Sequence, residues 1–225
     1  MTKFIYSMEP RELFRQLVYL YANARKPSFY HPRLSRGRSH SVSSQVEDLF
    51  AYFLSLNFVG EINYLIDQPL NHGKNQLCPD ITLVEQGVVC HLFDVKTDLG
   101  WNRDGLSAFC AKQSDRLRDF DGIELSATDG MTKKKYTIKS DGNLQYHVVI
   151  ISGLNISSEK LSKQLIEVEK LDKVHVYVLY PQHHPNYYGT DIDSFVMSVL
   201  VNDKDFDRIE HALTKKSSGR GINVV

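Results

Sequence analysis

Two continuous apolar runs, at residues 146–152 and 174–180, constrain the fold of this chain more than any other feature. A helical pattern at residues 157–170 separates them. Strands that are apolar along their whole length are typical of a parallel sheet covered on both faces, and a helix is the usual connection between two parallel strands. This strand–helix–strand pattern predicts an α/β fold.

Amphipathic periodicity predicts further helices, in which apolar residues recur at three- and four-residue intervals. These helices are expected at residues 10–24, 43–57, 105–120 and 203–215. Ser43 and Ser44 are candidate caps for the second of them, because serine side chains accept hydrogen bonds from the first amides of a helix.

Shorter runs predict strands at residues 61–66, 79–85, 88–95 and 195–201. The second and third are separated only by a connection that contains Gly87, so they are expected to pair as an antiparallel hairpin. Two polar segments, 25–40 and 121–143, are expected to be loops.

The chain of 225 residues suits a single domain over 1–225, with a core at roughly 43–180 and additions at both ends. Lys plus Arg and Asp plus Glu both total 27, so any attraction for nucleic acid must come from local patches. The sequence has neither a signal peptide nor an apolar membrane span, which predicts a cytoplasmic protein without a membrane partner. Neither the three cysteines nor the nine histidines have the spacing of a zinc site. The cysteines are expected to be reduced, partly buried thiols.

The residues best suited to catalysis lie in the predicted hairpin. Asp80 begins its first strand, and Asp94 and Lys96 end its second. Antiparallel pairing brings these three residues together, and alternation along the strand places Asp94 and Lys96 on the same face. Two adjacent carboxylates repel each other unless a cation lies between them, and hard oxygen ligands favour Mg²⁺, with Mn²⁺ as a substitute. Such an ion polarises a phosphodiester and acidifies water, while the lysine orients that water or offsets developing charge.

This arrangement resembles the signature of the PD-(D/E)XK nuclease superfamily, which reads here as Pro79 and Asp80, then Asp94, Val95 and Lys96. The resemblance covers roughly residues 43–180. It implies a restriction-endonuclease-like αβββαβ core, with a mixed central β-sheet flanked by helices, magnesium dependence and DNA as the usual substrate.

The same resemblance implies a glutamate on the helix before the core sheet, and Glu47 fits this position as a catalytic residue and metal ligand. The dipole of its helix offers an alternative reason for an acid there. Lys112 and Gln113, on the helix after the motif, are secondary candidates, although a solvated helix face explains them equally well. Arg33, Arg36 and Arg38 lie in the first loop without an acidic neighbour and are candidates for nucleic-acid binding through phosphate contacts.

Together these features predict a magnesium-dependent DNA endonuclease. A type II restriction endonuclease is favoured because the chain is short and has no recognisable helicase or separate DNA-binding module. Such an enzyme is expected to cut double-stranded DNA as a homodimer, whose two-fold axis relates two active sites to two antiparallel strands. The alternatives are a structure-specific repair, recombination or phage nuclease of the same fold, and a catalytically idle nucleic-acid-binding protein.

Overall fold

The computed structural model describes residues 7–58, 60–100 and 105–214, which form six helices and eight strands. The helices are α1 (Pro10–Ala24), α2 (Ser43–Asn57), α3 (Leu106–Arg118), α4 (Ser158–Val168), α5 (Ile192–Met197) and α6 (Asp203–Thr214). The strands are β1 (Ile62–Ile66), β2 (Leu70–His72), β3 (Asn75–Leu77), β4 (Ile81–Glu85), β5 (Val88–Lys96), β6 (Glu124–Thr128), β7 (Lys135–Ser152) and β8 (Val174–Tyr180).

These strands form one mixed sheet that is mostly antiparallel. Its order is β1-β4-β5-β7-β6-β2-β3, and β8 pairs with the C-terminal half of β7. The hairpin of β4 and β5 is antiparallel, whereas β5 pairs with β7, and β7 with β8, in parallel. The predicted α/β class, the hairpin and the parallel strand–helix–strand unit are therefore confirmed.

Helices cover both faces of the sheet. Phe93 of β5 packs on one face with α1, α2, α5 and α6, where it meets Phe14 and Phe50 in one apolar cluster. Leu92 packs on the opposite face with α3 and α4. Because side chains alternate along a strand, Asp94 lies on the same side as Leu92, toward α3. The polar end of β5 thus lies beneath a helix and not on an open sheet surface.

The predicted loop at 121–143 is wrong, because β6 and the first part of β7 occupy most of it. Leu125 and Ala127 are buried with exposed residues between them, as are Ile138 and Ser140. This alternation of buried and exposed residues is the pattern of a half-buried antiparallel strand. The lysine run and the glycines in the segment hid that signal.

The predicted strand at 195–201 is also wrong, because this segment begins inside α5. The Asp191 side chain caps α5 by accepting a hydrogen bond from the Ser194 amide at 3.0 Å. Arg11 of α1 then donates to the carbonyls of Val196 and Met197 at its end. Capping and this contact from α1 outweigh the β-propensity of an aromatic and β-branched segment.

Smaller differences between prediction and structure concern a helix cap, a short hairpin and one cysteine. Val42 is the N-cap of α2, which has no side-chain cap within the described residues, so the predicted serine caps are wrong. The hairpin of β2 and β3 was not predicted; its turn contains Gly73 in the left-handed region, at φ 58°. Cys90 and Cys110 are buried as expected, but Cys78 is exposed. No helix within the described ranges is long and apolar enough to cross a bilayer.

A row of histidines crosses the sheet on the face that α6 covers. His147 is fully buried, with one ring nitrogen 2.9 Å from His91 Nδ1 and the other 3.0 Å from the Tyr177 hydroxyl. His175 stacks against it at 5.3 Å between ring centroids. Burial is the largest cause lowering the pKa of all three histidines, and it lowers that of His91 to about 4. The folded protein therefore keeps these rings neutral in mild acid.

We expect the free energy of unfolding to fall as the pH is lowered from about 7.5 to about 5, because the unfolded chain binds protons that these histidines reject when folded. For His91, a folded pKa of about 4 against the ordinary 6.5 predicts a loss of about 2 kcal/mol at pH 5. Denaturant unfolding at both pH values measures it. His91→Gln keeps a hydrogen-bonding group beside His147 and should reduce the pH dependence; an unchanged dependence would contradict this account.

Candidate metal-dependent active site

The ends of two neighbouring strands bring the three motif residues together. Ile81 pairs with Phe93 across the hairpin, so Asp80 lies beside the last residues of β5. Asp80 Oδ2 accepts a hydrogen bond of 2.6 Å from the Val95 amide. This bond fixes the carboxylate against the backbone between Asp94 and Lys96. The predicted convergence of Asp80, Asp94 and Lys96 is confirmed.

Lys96 is the cation of the cluster. Its ammonium group donates to Asp94 Oδ1 and lies 3.9 Å from Asp80 Oδ2. The same nitrogen is 5.7 Å from the centroid of the Phe109 ring on α3, a distance at which the ring also attracts the charge. Lys96 is thus held between two carboxylates and an aromatic ring, with about a quarter of its side chain (27%) exposed.

Tyr146 of β7 positions Asp94. Its hydroxyl donates to Asp94 Oδ2 at 3.2 Å, so the two oxygens of this carboxylate have different partners. Burial first, and the Asp94 charge second, raise the pKa of Tyr146 well above its usual value, which keeps the hydroxyl a donor. The sequence analysis missed this residue, although a tyrosine in an otherwise apolar buried strand indicates that its hydroxyl needs a partner.

The two carboxylates are poorly neutralised. Burial raises the pKa of Asp80 to about 7, and the nearby charge of Asp94 is the second cause, while Lys96 acts in the opposite direction. The Asp94 charge is also the second cause, after burial, that raises the pKa of Cys110 on α3 to about 12. One lysine therefore compensates two largely buried acids, and a further cation would relieve the remaining repulsion.

These residues fit Mg²⁺ better than zinc. Within the described residues no three His, Cys, Asp or Glu side chains converge closely enough to hold a metal ion by themselves. Mg²⁺ commonly binds through one or two carboxylates and completes its shell with water and substrate oxygens, whereas structural zinc sites have four protein ligands. Asp80 and Asp94 provide such a pair of carboxylates.

Glu47 lies near the cluster without joining it. It is half-buried on α2, and its pKa is raised first by burial and then by the charge of Asp67. Lys96 lowers this pKa, while Asp48 and Asp94 raise it by smaller amounts. Asp67, which sequence analysis missed, donates its amide to the Asp80 carbonyl at 2.8 Å and has a φ of 48°. Glu47 therefore influences the electrostatics of the site, and its role as a ligand stays a prediction.

The two secondary candidates on α3 point in different directions. Lys112 is exposed, whereas Gln113 is buried and accepts a hydrogen bond of 3.3 Å from Arg116. Arg116 also donates to the Gln76 carbonyl and is near enough to Tyr146 to lower its pKa slightly. Gln113 is thus buried beside Arg116, whose charge acts on Tyr146, and Lys112 faces solvent.

Two loops are joined to each other and to the segment after β5, the first between α1 and α2 and the second between β8 and α5. In the basic loop (residues 25–40), Arg33, Arg36 and Arg38 are all exposed, and the loop is closed where the His40 amide donates to the Ala24 carbonyl at 2.9 Å. In the second loop (residues 181–191), His184 lies 3.2 Å from Asp98, only two residues past Lys96. The second loop therefore contacts the segment that follows β5, and the basic loop leads into α2, which carries Glu47.

No family model, curated protein or solved structure matches this chain. The chemistry of the cluster is therefore the basis on which a function can be assigned.

Asp80→Asn should stabilise the metal-free protein at about pH 8, because it removes one of two repelling charges while its amide oxygen still accepts the Val95 hydrogen bond. We expect a gain of about 1–2 kcal/mol, or a few degrees in Tm. Mg²⁺ should raise the Tm of the wild type and have less effect on the variant. Asp115→Asn, at an exposed site on α3, is the control. It should change neither the Tm of the metal-free protein nor the rise in Tm that Mg²⁺ causes. A lower Tm for Asp80→Asn, with no response of the wild type to Mg²⁺, would refute the metal site.

Proposed function

We propose that this protein is a magnesium-dependent DNA endonuclease that hydrolyses phosphodiester bonds, and that Mn²⁺ can substitute. The observation that carries the proposal is the convergence of Asp80, Asp94 and Lys96 at the ends of β4 and β5, where one lysine is held between two largely buried carboxylates. The resemblance of these residues to the PD-(D/E)XK signature supports the same chemistry.

The order of the elements also supports a restriction-endonuclease-like core. Along the chain, α2 is followed by β1, β4 and β5, then by α3 and β7, with a small hairpin of β2 and β3 and the strand β6 as additions. In the sheet the four main strands are neighbours in the order β1-β4-β5-β7. This sequence of elements agrees with the αβββαβ arrangement expected for the superfamily.

Each residue of the cluster has a definable part in hydrolysis. Asp80 and Asp94 would hold Mg²⁺, which supplies a Lewis acid for the phosphodiester and for the attacking water. The Val95 amide fixes Asp80, and Tyr146 fixes Asp94, so the carboxylates need little reorganisation to bind. Lys96 orients the water and offsets the negative charge that grows on the phosphate oxygens. Glu47 would contribute a further carboxylate from α2.

Substrate and assembly follow from the same proposal. A type II restriction endonuclease would cut double-stranded DNA as a homodimer, with one active site for each strand. A structure-specific nuclease of the same fold would use the same acidic cluster on a different DNA shape. A catalytically idle binding protein is less favoured, because Asp80, Asp94 and Lys96 are all present and in contact.

Asp80→Ala, Asp94→Ala and Lys96→Ala should each reduce cleavage of plasmid or phage DNA by about a thousandfold or more, because these groups stabilise the transition state. DNA binding measured in Ca²⁺ should change little, since Ca²⁺ supports binding but activates water poorly. Lys163→Ala is the matched control, because this lysine is exposed on α4, outside the acidic cluster.

Tyr146→Phe removes only the hydroxyl that contacts Asp94 and should raise the Mg²⁺ concentration needed for half-maximal rate. Cleavage by either purified aspartate variant at the wild-type rate, or full activity in a chelator, would contradict the metal-dependent assignment.

Replacing Arg33, Arg36 and Arg38 by Ala should weaken binding to all duplex sequences alike. Each lost phosphate contact is expected to flatten the plot of log affinity against log salt concentration by about one unit, because fewer counterions are released. Salt titrations on several duplexes measure this slope. Loss of preference for one sequence at constant slope would instead indicate that the loop reads base edges. An unchanged slope and affinity would mean that the loop is only solvated.

A further inference from the structure

Three aromatic side chains are largely exposed on the basic loop and the second loop. Phe29 and Tyr30 of the basic loop are 83% and 92% exposed, and Tyr188 of the second loop is 75% exposed. Its neighbour Tyr187 differs, because it is partly buried, stacks on Phe195 at 4.1 Å between ring centroids and packs against the core. Phe29 and Tyr30 are neighbours in the chain, and Tyr188 contacts Arg25 of the same basic loop. Exposed apolar side chains that occur together, and not singly, indicate an interaction site.

Tyr188 is held in place although it is exposed. The Arg25 guanidinium lies 4.5 Å from the ring centroid, and the Asn186 amide donates to the hydroxyl at 3.2 Å. Arg25 is itself fixed by hydrogen bonds to Asn186 Oδ1 at 2.8 Å and to the Tyr187 carbonyl at 2.7 Å. One face of the ring therefore rests on a cation, and the remaining surface is open to a planar partner. A ring fixed in this way loses little entropy when it stacks.

The same contacts join the two loops. Arg25 is the first residue of the basic loop, and its partners Asn186 and Tyr188 belong to the second. The second loop is tied to the end of β5 through His184 and Asp98, and the basic loop leads into α2, which carries Glu47. Tyr188 thus lies in a loop that contacts Asp98, two residues past Lys96, and Arg25 joins the basic loop to it.

The charge of the basic loop indicates the nature of the ligand. Residues 25–40 contain five Lys or Arg and no Asp or Glu, in a chain whose total charges balance. Cations that contact phosphates, combined with rings that stack on bases, are the usual means of binding single-stranded nucleic acid. Bases inside a duplex are already stacked on each other and cannot reach such rings unless they leave the helix.

We propose that Phe29, Tyr30 and Tyr188, with the arginines of the basic loop, form a binding surface for unpaired nucleotides. The inference rests on the proposed nuclease function and specifies its substrate: DNA with a single-stranded segment next to the bond that is cut. The cations hold the backbone, the rings hold the bases, and the acidic cluster acts on a neighbouring phosphodiester. This favours the structure-specific alternative over cleavage of uninterrupted duplex.

The test measures binding and cleavage separately on the full chain. Binding of a fluorescent oligothymidine, a flush duplex and a duplex with one splayed end is measured by anisotropy in Ca²⁺. Tyr188→Leu and the double variant Phe29→Leu/Tyr30→Leu should each bind oligothymidine and the splayed end about 5- to 100-fold more weakly, since stacking contributes strongly for each base. Their affinity for the flush duplex and their salt slopes should stay unchanged.

Two controls separate stacking from folding. Tyr188→Phe keeps the ring and loses only the hydroxyl contact with Asn186, so it should bind oligothymidine nearly as well as the wild type. Tyr52→Leu alters another exposed tyrosine, on α2, and should have no effect on binding. Unchanged Tm values identify variants that remain folded, and the double variant Phe29→Leu/Tyr30→Leu still tests the surface if Tyr188→Leu does not fold.

The outcomes distinguish the two proposals. The proposed binding surface would be contradicted if the aromatic variants lost as much affinity for the flush duplex as for oligothymidine. It would also be contradicted if neither variant lost any affinity. Metal-dependent cleavage without preference for the splayed end would overturn it too, while the nuclease assignment would stand. Ring-dependent binding of oligothymidine without any metal-dependent cleavage would support the surface and reject the nuclease. A partner protein as the true occupant would appear as failure to bind every DNA probe, which rejects the inference.

Discussion

The position of β5 in the sheet determines most of this structure. It pairs with β4 on one side in an antiparallel manner and with β7 on the other in parallel, and helices cover both of its faces. A strand buried in this way has to be apolar along its length, and polar groups are tolerated where it ends or where each has a partner. Asp94 and Lys96 lie at that end and satisfy each other, with Tyr146 and Asp80 completing the set.

The acidic cluster opposes the stability of the fold that holds it. Two carboxylates in a partly buried site repel each other, and one lysine compensates only part of their charge. Groups that raise the energy of the free protein are typical of sites that gain stability when they bind a ligand of opposite charge. The Val95 amide and the Tyr146 hydroxyl preserve the geometry in the meantime by giving each carboxylate a fixed donor. At the proposed Mg²⁺ site, this repulsion would become part of the driving force for binding the ion.

Local patterns allowed the hairpin, the long helices and the cluster to be predicted, since alternation and one short connection determine where Asp80, Asp94 and Lys96 lie. Contacts between distant parts of the chain could not be predicted in this way. Tyr146 reaches Asp94 only because β7 pairs with β5, and Asp67 reaches Asp80 only through the pairing of β1 with β4. The segment at 195–201 has strand-like composition, and the contact from Arg11 to α5 is invisible in the local sequence. The alternation at 135–140 was present in the sequence but was obscured by neighbouring lysines.

The backbone hydrogen bond between His40 and Ala24 brings the two ends of the basic loop together at the junction of α1 and α2. The entropy of closing a flexible loop grows only with the logarithm of its length, so that doubling the loop changes the stability by about 0.6 kcal/mol. Insertions and deletions within the loop that this bond closes are therefore expected to leave the packing of both helices nearly unchanged. In the proposed nuclease, substrate recognition could therefore evolve through the length of this loop, while the strand ends that hold the carboxylates remain constant.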